Sequence, residues 1–124
     1  MLLAEELTER IIGLAIEVHR HTGVGLLESV YEGCLCHELE QSGIPFERQA
    51  SIPVLYKGVS IGEGFKADII VSRQVILEIK AIAVILPVHE AQLHTYLRMS
   101  AIRVGLLLNF NAHRLKDGLR RYVL

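Results

Sequence analysis

The amino-acid sequence predicts an α/β fold with a mixed sheet, in the order α, α, β, β, β, α, β. Three observations lead to this prediction. Helical periodicity fills the first third of the chain, alternating segments joined by short turns follow, and an unbroken apolar run comes after a further helical segment. A length of 124 residues is close to the usual size of one domain, so residues 1–124 are expected to form a single domain.

The first third of the chain predicts two amphipathic helices. Apolar residues repeat with helical spacing from Leu7 to Val18, until a glycine-rich segment at 23–25 ends the pattern. A second apolar run begins at Leu27 and stops at Gly43, a residue type that often ends helices.

After Pro45 the apolar period changes to two, which indicates β-strands. The first run ends at a turn at 57–58, and Pro53 within it indicates an edge strand or a bulge. A second run surrounds Asp68, and a third extends from Val75 to Ala81. Their short connections favour an antiparallel meander, because a parallel return needs a crossover of a dozen or more residues.

Such a crossover comes next. Pro87 opens a helical segment, and proline is well tolerated in a first helical turn. This helix leads to the apolar run at 104–108, which is typical of a strand buried on both faces. The tail contains a turn at 116–118 and is compatible with a short final hairpin or strand.

The composition predicts a globular protein outside the membrane. Hydrophobic residues make up 51% of the chain, enough for a core, and its apolar runs are interrupted by charges before they reach the length of a membrane span. The acidic start differs from a signal peptide, so a cytoplasmic location is expected. In that compartment Cys34 and Cys36 are expected to be reduced thiols.

The net charge of −1 speaks against a nucleic-acid partner, but the charges are unevenly distributed. Residues 1–47 hold nine Glu and two basic residues, whereas residues 92–124 hold six Lys and Arg and a single Asp. The second region either faces phosphate groups or forms an ordinary solvated face beside an acidic helical layer.

Three charged side chains interrupt the apolar strands. Glu78 and Lys80 are two residues apart, so they project from the same strand face, about 6.6 Å apart. Asp68 joins them if the two strands pair. Unpaired charges inside a protein are costly, so these side chains need compensation.

Two interpretations account for this set. Asp68, Glu78 and Lys80 form a salt-bridged patch on a solvent-facing sheet surface, or the carboxylates bind a divalent ion such as Mg²⁺ or Mn²⁺. In the second case the ion activates a water molecule against a phosphodiester. Lys80 then orients that water or stabilises charge on the phosphate.

This order of elements resembles the PD-(D/E)xK nuclease superfamily, whose α-β-β-β-α-β core carries Asp on the second strand and E-x-K on the third. The segment from Gly25 to Tyr31 looks like the signature of the bacterial GxxExxY protein family. Gln92 and Tyr96 resemble the Q-x-x-x-Y element of RecB-like nucleases. The resemblance covers essentially the whole chain and implies a restriction-endonuclease-like fold with an extra N-terminal helix.

The resemblance also implies roles for individual residues. Asp68 and Glu78 are implied to ligate the metal, and Lys80 is implied to be the catalytic lysine. Glu28 receives a metal-ligand or metal-facing role. Stabilisation of the second helix by a carboxylate in its first turn is the alternative for Glu28.

Gln92 and Tyr96 match positions that face the substrate, and residues four apart share one helix face. For Tyr96, simple packing over the sheet is the alternative.

The first functional hypothesis is therefore a Mg²⁺- or Mn²⁺-dependent nuclease that acts on DNA through metal-activated water. A non-catalytic nucleic-acid- or protein-binding module with the same fold is the second hypothesis, and the low positive charge favours it. Lys80 favours the nuclease, because a binding module does not need a lysine beside two carboxylates. A third hypothesis gives the basic C-terminal region a role only in oligomer assembly. The small size of the chain makes a homodimer a candidate for gripping a duplex.

Overall fold

The computed structural model describes residues 3–124, with the backbone alone at residue 63. The described part of the chain follows the predicted order, and a short 3-10 helix and a final strand complete its tail. The elements are α1 (Glu5–Thr22), α2 (Glu28–Gln41), β1 (Phe46–Tyr56), β2 (Val59–Val71), β3 (Val75–Lys80), α3 (Pro87–Ser100), β4 (Val104–Asn109), the 3-10 helix (Leu115–Gly118) and β5 (Leu119–Val123).

The strands form one mixed sheet in the order β1-β2-β3-β4-β5. Strands β1, β2 and β3 make the predicted antiparallel meander, and α3 is the crossover that brings β4 parallel to β3. The tail forms a strand antiparallel to β4. Pro53 lies in edge strand β1 beside a register shift, so both expectations for this proline are confirmed. The prediction of a mixed α/β fold is therefore confirmed.

Helices cover both faces of the sheet because its strands carry apolar side chains on both sides. Helices α1 and α2 pack on one face, where alternate residues of β3 such as Leu77 and Ile79 are buried. Helix α3 packs on the other face, against Ile76 and Leu107. Strand β4 is buried along its whole length, as its apolar run predicted.

Helix α2 buries apolar residues of its predicted run, among them Tyr31, Leu35 and Leu39, and with them one carboxylate. Leu27 is 73% exposed, whereas Glu32 is only 5% exposed. The hydroxyl group of Tyr31 donates a hydrogen bond to the carbonyl oxygen of Gly23 at 2.6 Å, and its ring stacks on Phe110 with centroids 4.6 Å apart. This anchor sets the rotation of α2 and turns Glu32 toward the sheet.

No helix within residues 3–124 is both long enough and apolar enough to cross a lipid bilayer.

Both cysteines are free thiols, as expected. Burial raises the pKa of Cys36 to about 11, so this thiol is protonated at neutral pH.

Candidate active site

The site begins where the pairing of β2 and β3 stops. The last backbone-paired residues are Ile69 and Leu77. Beyond them the two strands are joined by hydrogen bonds from backbone N–H groups to two carboxylates. The backbone N–H of Ile79 donates to Asp68 Oδ2 at 2.7 Å, and the backbone N–H of Asp68 donates to Glu78 Oε1 at 3.3 Å. We call this place, defined by Asp68 and Glu78, the strand fork. The predicted proximity of these two residues is present in the structure.

Negative charge is unfavourable at the strand fork. Glu78 is 4% exposed, and burial together with the neighbouring Asp68 raises its pKa to about 8. Burial also raises the pKa of Asp68, although the hydrogen bond from Ile79 opposes the shift. Two close carboxylates in such a place need either a proton or a cation.

Lys80 lies two residues beyond Glu78 and is half-buried. Its charge acts to lower the pKa of both Asp68 and Glu78. Among the described side chains, however, no ion pair joins Lys80 to either carboxylate. The buried Glu78 and the lack of such a pair argue against a solvated, salt-bridged surface patch.

Glu32 and Gln49 also belong to the site, although neither is among the residues predicted from the sequence. Glu32 of α2 accepts hydrogen bonds from Arg48 Nε at 2.6 Å and from Gln49 Nε2 at 2.9 Å. The Gln49 amide also lies 3.4 Å from Asp68 Oδ1, so it links Glu32 to the strand fork. A signal for Glu32 was present, because it follows Glu28 by four residues and such residues share a helix side.

Glu28 stands at the rim of the site. Its carboxylate accepts a hydrogen bond from the backbone N–H of Ala81 at 3.3 Å, directly after Lys80. The loop before α2 reaches this position with Gly25 at a φ of 103°, a conformation that favours glycine. An open cavity of about 430 Å³ lies here, and its walls are Leu26, Leu27, Glu28, Ser29 and Ala81.

Asn109, at the end of β4, also went unrecognised in the sequence. It is 5% exposed, and its side-chain amide accepts from the N–H of Ile82 at 3.1 Å and donates to the Ile82 carbonyl at 2.9 Å. This double contact holds the chain just after Lys80. Nothing in the local pattern marks Asn109, because its partner is 27 residues away.

Gln92 and Tyr96, the two residues predicted to face the substrate, differ in their burial. Gln92 is exposed, whereas Tyr96 is 5% exposed and its ring packs 5.2 Å from that of Phe65. Burial raises the pKa of Tyr96 to about 12, with further contributions from Glu78 and Asp68. The ring therefore packs over the sheet, and the phenol lies within the electrostatic influence of the strand fork. Contact of either residue with substrate stays a prediction.

The donor set at the fork fits a divalent cation. In the described part of the chain, no three Asp, Glu, His or Cys side chains are placed to share one ion, so Glu28 does not complete a cluster with Asp68 and Glu78. Mg²⁺ is commonly held by one or two carboxylates with water in its remaining positions, and this pair is sufficient for that mode. The raised pKa of Glu78 marks where a cation would offset unfavourable negative charge.

A family model described as the PD-(D/E)XK nuclease superfamily matches residues 5–122, nearly the whole chain. No curated protein and no solved structure matches the sequence. The matched range contains the strand fork, Lys80 and all the helices and most of the final strand. The chain thus belongs to the PD-(D/E)XK nuclease superfamily.

Proposed function

We propose that this protein is a nuclease that hydrolyses phosphodiester bonds of DNA, with Mg²⁺ or Mn²⁺ held by Asp68 and Glu78. One observation carries the proposal: where the pairing of β2 and β3 stops, Asp68 and Glu78 each accept a hydrogen bond from a backbone N–H of the other strand, and Lys80 lies two residues further along β3. Membership of a nuclease superfamily supports nucleic acid as the substrate class.

Each residue of the site has a distinct task in this proposal. Asp68 and Glu78 hold the cation, and the chemistry supplied by such an ion is polarisation of the phosphate and a lowered pKa of bound water. Lys80 places a positive charge where negative charge develops on the phosphate. Gln92 and the Tyr96 hydroxyl group bind the substrate.

The decisive experiment replaces the lysine. Lys80→Ala should lower the rate of DNA cleavage by about 10² to 10³ while leaving cation and DNA binding nearly unchanged, because its contribution is realised chiefly in the transition state. Cleavage of single-stranded, duplex and branched DNA and of RNA is measured with Mg²⁺ and with Mn²⁺. Lys57→Ala, in the exposed β1–β2 turn, is the matched control and should cleave like the parent.

Calorimetry with Mn²⁺ separates the enzyme from a binding module that retains the fold. Asp68→Asn should weaken Mn²⁺ binding strongly, since it removes one of two anionic ligands. Equal Mn²⁺ affinity in variant and parent would contradict the ligand assignment. If the parent cleaves none of these substrates, or if Lys80→Ala cleaves as fast as the parent, the nuclease mechanism is wrong and only the fold assignment stands.

A further inference from the structure

A concave basic surface lies away from the strand fork. The C-terminal part of α1 and the segment after β4 enclose an open cavity of about 390 Å³. Its described lining contains no carboxylate. We call it the basic pocket, and it is defined by the side chains of His19, Arg20, His113, Arg114 and Lys116.

Folding brings these residues together from distant parts of the sequence. His19 Nε2 lies 2.9 Å from the carbonyl oxygen of Ala112, a contact in which the ring nitrogen donates. Leu115 is 4% exposed, so its burial in the core fixes the 3-10 helix beside α1. The positions of Arg114 and Lys116 next to α1 are therefore set by core packing.

Neutralisation within the protein does not account for this concentration of charge. The chain has a net charge of −1, yet three permanent cations and two imidazoles share one concavity. Asp117 pairs with Arg114 at 3.6 Å, but both side chains are well exposed, and such pairs contribute little. The C-terminal end of α1 favours His19 and Arg20 through its dipole, but Arg114 and Lys116 belong to another element.

The basic pocket and the strand fork lie at the same end of the sheet. Strands β3 and β4 are parallel, with Lys80 beside Asn109, so both chains leave the sheet on the same side. The backbone N–H of Phe110 donates to the carbonyl oxygen of Lys80 at 2.8 Å. The segment that leads into the pocket thus starts beside the proposed catalytic lysine.

The other cations of the basic C-terminal region are placed differently. Arg98 and Arg103 are exposed near the opposite end, where α3 ends and β4 begins. Arg121 donates to Thr8 Oγ1 at 2.9 Å and ties β5 to α1. The cations of the basic C-terminal region therefore lie in different places. Arg114 and Lys116 lie beside His19 and Arg20, which belong to the acidic segment 1–47.

We propose that the basic pocket binds a backbone phosphate of the nucleic acid, at a nucleotide other than the one at the strand fork. The inference rests on the proposed function for its choice of ligand, since an inorganic phosphate or a mononucleotide carries the same chemistry. Because the segment after β4 starts beside Lys80, a DNA strand that runs from the fork past the ends of β3 and β4 would reach the pocket.

The test compares two triple variants that change the net charge equally. Arg20→Gln/Arg114→Gln/Lys116→Gln removes the permanent cations of the pocket, and Arg73→Gln/Arg98→Gln/Arg103→Gln removes exposed cations near the opposite end. Binding of labelled single-stranded and duplex DNA is measured by fluorescence anisotropy in EDTA over a salt series. Thermal unfolding checks that both variants fold like the parent.

The pocket variant should bind DNA at least about tenfold more weakly at moderate salt. Its slope of log affinity against log salt should be shallower by about one unit, because the loss of one phosphate contact removes roughly 0.7 to 0.9. The opposite-end variant should stay within about threefold of the parent. Equal losses in both triples, or an unchanged pocket variant, would overturn the inference.

Two further arms distinguish the sources of phosphate and the two proposals. Competition by inorganic phosphate or a mononucleotide as effective as the oligonucleotide would show a small-anion site and overturn DNA binding there. If the parent binds DNA through the pocket but never cleaves it, the proposed nuclease function is wrong and the pocket proposal stands. If the parent cleaves DNA and the pocket variant keeps full DNA affinity, only the pocket proposal is wrong.

Discussion

At the scale of single residues, Glu78 couples the stability of the protein to pH. Burial and Asp68 raise its pKa from 4.5 to about 8 in the folded protein. Between these values the unfolded chain has released the proton and the folded protein retains it. The contribution of Glu78 to the free energy of unfolding is thus fully present below about pH 4.5, and it is lost as pH rises toward 8.

Glu78→Gln should remove this part of the pH dependence, because an amide resembles the protonated acid and does not titrate. In EDTA at about pH 9, we expect the variant to be more stable than the parent by on the order of a few kcal/mol, and near pH 4 the two should agree. Urea unfolding across this range measures the difference. Glu40→Gln, on the exposed side of α2, should keep the slope of the parent. An unchanged slope in Glu78→Gln would contradict the assignment.

Gln49 combines a strained backbone with a role in the site. Its φ of 52° lies in the left-handed region, which disfavours residues other than glycine, while its side chain links Glu32 to Asp68. Gln49→Gly removes both the strain and the amide, whereas Gln49→Ala removes the amide alone. The glycine variant should be more stable than the alanine variant by about 1 kcal/mol.

Both Gln49 variants should lose nuclease activity to a similar extent, because both leave Asp68 without its amide partner. Chemical denaturation measures the stability difference, and cleavage assays measure the shared loss. An alanine variant at least as stable as the glycine variant would rule out the backbone strain. Full activity in both would remove Gln49 from the site.

At the scale of elements, the ends of the parallel strands position the segment that follows Lys80. The 3-10 helix packs so closely against the end of β4 that a Cβ atom on Gly118 would collide with the carbonyl oxygen of Asn109. Asn109 in turn holds Ile82, two residues after Lys80. The end of β4 therefore fixes the loop that follows the proposed catalytic lysine.

Asn109→Ala should destabilise the protein by about 1 to 3 kcal/mol, because it leaves the backbone groups of Ile82 without their partner. Amide hydrogen exchange should show loss of protection at Ile82 before the core strands are affected. Asn111→Ala, at an exposed position, is the control and should change little. Unaltered protection at Ile82 would mean that Asn109 does not hold this loop.

At the scale of the whole molecule, the strand fork is placed between two helical layers. Helix α2 brings Glu28 and Glu32 from one side of the sheet, and α3 brings Tyr96 from the other. Strand β3, which carries Glu78 and Lys80, lies in the middle of the sheet. Such a central strand holds its polar side chains on a rigid support, as a site that stabilises charge requires.

The sequence alone determined the order of the elements and the meeting of Asp68 with Glu78. Both depend on local patterns: the alternation of strands, the short turns of the meander and the crossover helix led by Pro87. The buried run of β4 was recognisable for the same reason. The helical periodicity of α2 was also right, but it did not show that Glu32 is buried beside the apolar residues.

Only the tertiary structure decided which other residues join the site. Glu32 enters because Tyr31 packs on Phe110, 79 positions away, and thereby sets the rotation of α2. Gln49 adopts a left-handed conformation that no local signal predicts, and the basic pocket combines Arg20 with Arg114 from opposite parts of the chain. These contacts arise from packing between distant segments, and local periodicity carries no information about that packing.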